Sequence, residues 1–145
     1  MRTRIASLIL GTVAAAALVV APVAATGGSR AVTITLDVNF GTGDQVFTAT
    51  GAFCPAGTAE AFTTKVSGRG SLVFHVTRTF ICTGGVDTLT IDLHAGTSAQ
   101  FDGTSGGWTV TGGTGAYAGA SGGGQITGVN TPTGILDTYA GTVNR

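Results

Sequence analysis

The chain has 145 residues, enough for one domain with its own core and too few for two comfortable ones. Charged side chains make up 10% of it, seven basic against seven acidic, so there is no basic excess to hold nucleic acid and no acidic tail. Glycine is plentiful at 25, but three prolines and the lack of a G-X-Y period exclude collagen.

Residues Met1 to Ala25 carry the pattern of a cleaved signal peptide. Arg2 and Arg4 form a positive n-region, Ile5 to Val20 is mostly apolar, and Val23-Ala24-Ala25 sets small residues before a cleavage point at Thr26. The apolar run is short of the roughly 20 residues that span a bilayer, so removal is favoured over a membrane anchor. The mature chain then carries five basic and seven acidic side chains, a formal charge of −2. It is a single domain, residues 26–145, with no membrane span and a secreted, extracellular address.

Ala31 to Phe40 alternates strictly: Val32, Ile34, Leu36, Val38 and Phe40 take one face, and Thr33, Thr35, Asp37 and Asn39 the other. Period two is the mark of a strand with one buried side. Gly41 to Asp44 turns the chain, and Gln45 to Gly51 returns as the second arm of a hairpin. After a loop at Cys54-Pro55-Ala56-Gly57, a weaker strand covers Thr58 to Val66. Ser71 to Cys82 follows, with Leu72, Phe74, Val76, Phe80 and Cys82 sharing parity and Arg78 among them. Val86 to Ala95 alternates Leu89, Ile91 and Leu93 against Thr88, Thr90, Asp92 and His94. Shorter, glycine-rich segments come last: Gly107 to Thr111 with Trp108, Gly122 to Val129 with Ile126, and Ile135 to Val143. The glycines are expected mostly between these segments, as turn residues.

No helical stripe persists over ten residues in the mature chain. Seven or eight strands joined by short loops predict an all-β fold, an antiparallel eight-stranded β-barrel, with a β-sandwich as the alternative. Closure has the advantage of removing sheet edges.

Cys54 and Cys82 are the only cysteines. In an oxidising compartment an even pair is most simply a disulfide, worth about 3 to 4 kcal/mol by loop closure. No CxxC and no close histidine favours a metal or a reactive thiol instead.

The glycine-based motifs have little specificity here. Gly112 to Gly124 lacks the Gly-Lys-Ser/Thr end of a phosphate loop. Gly119-Ala120-Ser121-Gly122-Gly123 fits G-x-S-x-G, yet no histidine follows Ser121 to complete a triad. His75 and His94 are the only histidines and show no HxH or HxxxH spacing, so no metal is expected, and no cofactor. Both fall on the less apolar face of their strands.

Arg78 lies on the apolar parity of its strand. It therefore either faces inward, where a buried guanidinium needs a carboxylate and Glu60 is the candidate, or is turned outward by a bulge. Glu60, Arg78 and His75 are the weak candidates for catalysis. Leu72, Phe74, Val76, Leu89, Ile91 and Trp108 are the candidate lining of an apolar lumen.

The run Trp108-Thr-Val-Thr-Gly-Gly-Thr-Gly-Ala-Tyr117-Ala-Gly-Ala-Ser-Gly-Gly-Gly124, followed by Asp137-Thr-Tyr139-Ala-Gly141, resembles the C-terminal half of allene oxide cyclase barrel-like proteins. Plant dirigent proteins have a similar GGTG-aromatic segment, and small secreted bacterial proteins carry a similar W-x-V-x-GGTGAYAG run. The match covers Trp108 to Gly141. The resemblance implies an eight-stranded barrel, often oligomeric, with an apolar cavity and no cofactor. It also implies that catalytic relatives steer cyclisation or coupling by holding a hydrophobic substrate in one shape. No catalytic residue transfers by motif.

Three functions follow as expectations. The first is a secreted barrel holding a small hydrophobic molecule without catalysis. The second is a cofactor-free cyclase or isomerase. The third is a barrel filled solid by its own side chains and acting through its surface.

Overall fold

The period-two segments become strands because their alternate apolar side chains share one interior and their threonines face solvent. The computed structural model describes residues 28–68, 71–98, 100 and 102–145. The strands are β1 (Arg30–Asn39), β2 (Gln45–Gly51), β3 (Ala56–Ser67), β4 (Ser71–Cys82), β5 (Thr88–Ser98), β6 (Thr104–Thr114), β7 (Ser121–Thr131) and β8 (Gly134–Asn144). Each pairs antiparallel with its neighbour in sequence, and β8 returns to β1, closing an eight-stranded barrel. One closed sheet replaces the sandwich alternative and leaves no edge strand. The signal segment, Met1 to Ala25, lies outside the described residues.

The two ends of the barrel differ. At one, Phe53 from the β2–β3 loop and Tyr117 from a 3-10 turn (Gly115–Tyr117) pack as a lid, with ring centroids 4.7 Å apart. Phe47 stacks on Phe53 at 5.5 Å and meets Phe80 edge-on at 5.4 Å. A disulfide between Cys54 and Cys82 ties the β2–β3 loop to the end of β4. Above this plug, Ile34, Phe80, Ile91, Trp108 and Tyr139 meet with no room for a water molecule. This half of the barrel is solid core, close-packed as protein interiors are. The other end carries the β1–β2, β3–β4, β5–β6 and β7–β8 turns and is open.

The placement of the glycines corrects the sequence reading. In the last third they lie mainly inside β6, β7 and β8, not between them. The reason is close approach of backbone and a large side chain. Trp108 stands opposite Gly124, and Gly124 opposite Gly141, so the indole spreads across strands that present no side chain. A Cβ at Gly141 would lie 2.8 Å from Trp108 Cζ2, and it would also collide with the Gly123 carbonyl. The Trp108 indole N–H donates to the Gln125 carbonyl at 3.0 Å, so the ring is both buried and satisfied.

Register shifts occur at Thr63/Lys65 between β3 and β4 and at Thr90/Ile91 between β5 and β6. The β4–β5 pairing runs unbroken from Ser71 to Ile81, so β4 keeps its parity and Arg78 faces inward beside Phe80. The outward alternative for Arg78 falls with that observation.

Candidate functional site

Arg78 is placed by β4 two residues from Phe80, one step above the packed half. On the opposite wall β8 sends Ile135, Asp137 and Tyr139 inward at alternate positions. Asp137 stands in register with Leu36 of β1 on one side and Gly128 of β7 on the other. Arg78 Nη1 donates to Asp137 Oδ2 at 3.1 Å, forming an ion pair inside the barrel. The same nitrogen donates to the Tyr139 hydroxyl, which also donates to Asp137 Oδ2 at 3.4 Å. Relative exposure is 7% for Arg78, 5% for Asp137 and 0% for Tyr139, so water screens these contacts little. Tyr139 in turn rests edge-on against Phe80, with centroids 5.3 Å apart.

Burial acts on both acidic groups. It raises the Asp137 carboxyl above the ordinary value of 3.8, against the opposing charge and hydrogen bond of Arg78. It also raises the Tyr139 phenol, with the Arg78 charge again opposing. Asp137 is therefore held less acidic than a surface carboxyl, and Tyr139 stays protonated.

The cluster is incompletely satisfied. Arg78 Nε is buried with no hydrogen-bond partner, while the Thr104 hydroxyl is buried beside Asp137 Oδ1, and its hydrogen bond to the carboxyl partly offsets the effect of burial. Thr104 Oγ1 and Asp137 Oδ1 both occupy the space over Gly128, where a Cβ would collide with each of them. Glycine at that position leaves the two oxygens room.

Directly above lies a recess of about 120 Å³, walled by Phe74, Val76, Leu93, Ala95, Ile126 and Ile135, with Arg78, Thr104 and Asp137 as its polar atoms. A wider chamber of about 680 Å³ opens at the barrel mouth, lined by Phe40, Pro132 and the 130–135 turn. Phe74, Thr104 and Ile135 line both spaces, so chamber and recess form one cup with an apolar wall and a polar floor. The chamber falls in the volume range of small-molecule sites.

Of the residues singled out from sequence, the cup brings together Phe74, Val76 and Arg78. Leu89, Ile91 and Trp108 are buried lower, in the core around the aromatic plug. Leu72 lines a shallow groove at the rim with Ser71 and Thr97. Glu60 does not meet Arg78. It is exposed on the outside of β3 opposite Thr79, because Glu60 and Arg78 lie on strand positions of opposite parity. The partner is Asp137 instead. His75 lies on the outer wall against His94, ring centroids 4.0 Å apart, away from the cup. Asp137, Tyr139 and Thr104 were missed. The signal for Asp137 was present: it shares parity with Ile135 and Tyr139, as Arg78 does with Val76 and Phe80.

Among the described residues no helix is long and apolar enough to cross a membrane. No family model, curated protein or solved structure matches the chain.

Proposed function

We propose that this protein is a secreted barrel that holds a small hydrophobic molecule in the open half of its lumen, without transforming it. One observation carries the reading: an apolar-walled cup, open at one end and floored by polar groups, sits on a core that is otherwise packed solid. A barrel serving only as a surface scaffold has no need of an opening lined by Phe40, Phe74 and Ile135. The Cys54–Cys82 disulfide and the leader-like Met1 to Ala25 segment support an extracellular setting. The resemblance to allene oxide cyclase barrel-like proteins fits the same proposal.

Mass spectrometry of the protein purified from its secreting host, under non-denaturing conditions, tests this directly. Recovery of one small apolar compound in stoichiometric amount is the expected result. An empty protein that also fails to take up a hydrophobic fluorophore overturns it.

A second reading, a cofactor-free cyclase or isomerase, is favoured by a specific feature of the floor. Asp137, its acidity weakened by burial, lies beside the Tyr139 hydroxyl and the Arg78 guanidinium within reach of a molecule in the recess. Such a carboxyl suits proton transfer better than a surface one. In this reading Asp137, paired with Arg78, takes the polarising role expected of Glu60, Arg78 or a histidine. Compound recovered in ring-closed form after incubation supports the enzyme; unchanged compound after long incubation supports the carrier.

A further inference from the structure

We infer that the molecule held in the cup bears an uncharged head that both donates and accepts hydrogen bonds, a hydroxyl on an apolar body, and that a carboxylate head is refused. The inference rests on the reading that the lumen holds a ligand, and it specifies that ligand's chemistry.

Arg78 is already neutralised by Asp137 at 3.1 Å, and the recess above them has no other ionisable side chain among its lining residues. An anionic head would therefore enter a neutral, water-poor pocket and sit beside Asp137. A cationic head would meet the Arg78 guanidinium in the same way. Either brings an unpaired charge into low dielectric, which costs heavily.

The floor has one unused donor, Arg78 Nε–H, and two oxygens with spare acceptor capacity, Asp137 Oδ1 and the Thr104 hydroxyl that bonds to the carboxyl. Arg78 and Asp137 are each more than nine-tenths buried, so bulk water does not serve these atoms. A pure hydrocarbon leaves the Arg78 Nε–H unpaired. An ether or ester oxygen accepts from Arg78 and offers nothing to Asp137. A hydroxyl accepts from one and donates to the other.

Size completes the case. The recess of about 120 Å³ corresponds to about four water volumes, room for a head group and its first carbons. The chamber above takes the rest of the body against Phe40, Phe74 and Ile135.

The test uses three probes of equal chain length: 1-octanol, octyl methyl ether and octanoate. Each displaces N-phenyl-1-naphthylamine, an uncharged hydrophobic fluorophore, from the protein at pH 7. We expect 1-octanol to compete about tenfold or more better than the ether, the margin of one well-formed buried hydrogen bond, and octanoate to compete least. Thr104→Val, close in shape and lacking the hydroxyl, is expected to fold normally and to narrow the alcohol-over-ether margin. Replacing the ion pair with apolar residues, Arg78→Met with Asp137→Leu, is expected to abolish the alcohol-over-ether margin. Equal competition by all three probes, or tightest competition by octanoate, overturns the head-group inference and leaves the apolar lumen standing. Failure of the unmodified protein to bind the fluorophore or any probe overturns the lumen reading itself.

Discussion

Arg78 and Asp137 are 59 residues apart in sequence and 3.1 Å apart in the folded protein, joined across the lumen from β4 to β8. They form the boundary between a solid half-barrel and an open one. The pair is buried, so its value lies less in net stabilisation than in what happens when half of it is lost.

Asp137→Ala leaves the Arg78 guanidinium buried and uncompensated. We expect a loss of about 3 to 5 kcal/mol in urea unfolding. The double replacement Arg78→Met with Asp137→Leu is expected to recover most of that loss, because no charge is left in the interior. A double variant as unstable as Asp137→Ala alone would contradict this account of the pair.

The raised Asp137 carboxyl sets a pH dependence whose sign is the reverse of the usual paired carboxylate. Between 3.8 and the higher folded value, the native state binds more protons than the unfolded chain. Stability contributed by this group is therefore present below 3.8, falls as pH rises through that window, and is level above it. Unfolding free energies measured from pH 3 to pH 7 for the protein and for Asp137→Asn should differ by this slope. Parallel curves would show that Asp137 titrates as it does in the unfolded chain.

Gly141 has no space for a side chain. A methyl group there would press on the Trp108 ring and on the Gly123 carbonyl. Gly141→Ala is expected to cost about 1 to 3 kcal/mol and to shift Trp108 fluorescence, since overpacking displaces the indole. An unchanged spectrum and unchanged stability would show that the β6–β8 contact yields more easily than the geometry implies.

Reduction of the Cys54–Cys82 bond frees the β2–β3 loop from the end of β4. The expected loss is about 3 to 4 kcal/mol, read as a lower midpoint in urea with dithiothreitol than without. Amide hydrogens around Phe53, which that loop carries, and Tyr117, which packs against it, should exchange faster.

The barrel was legible in the sequence because its strongest strands, β1, β4 and β5, each have one predominantly apolar parity. Val32, Ile34 and Leu36 and then Leu89, Ile91 and Leu93 mark the interior without help from context. Strands β6 and β7 were read short, as Gly107 to Thr111 and Gly122 to Val129, because their inward positions include Gly106, Gly124 and Gly128. A missing side chain carries no periodicity. Half of the polar floor was visible in the parity of Arg78. Its partner was not, since pairing across a lumen depends on strand order and register, and neither can be read from one strand at a time. Glu60 was nearer to Arg78 in sequence and faced the wrong way.

Closure of β8 onto β1 has one more consequence. Arg30 at the start of β1 lies in register with Val143 near the end of β8, and every other neighbour in the sheet is joined by its own turn. The ring of strands thus has no privileged beginning. A circularly permuted chain, with the ends of β1 and β8 joined by a short linker and new termini opened at Gly84-Gly85, retains every strand pairing. It also retains the turns that surround the cup.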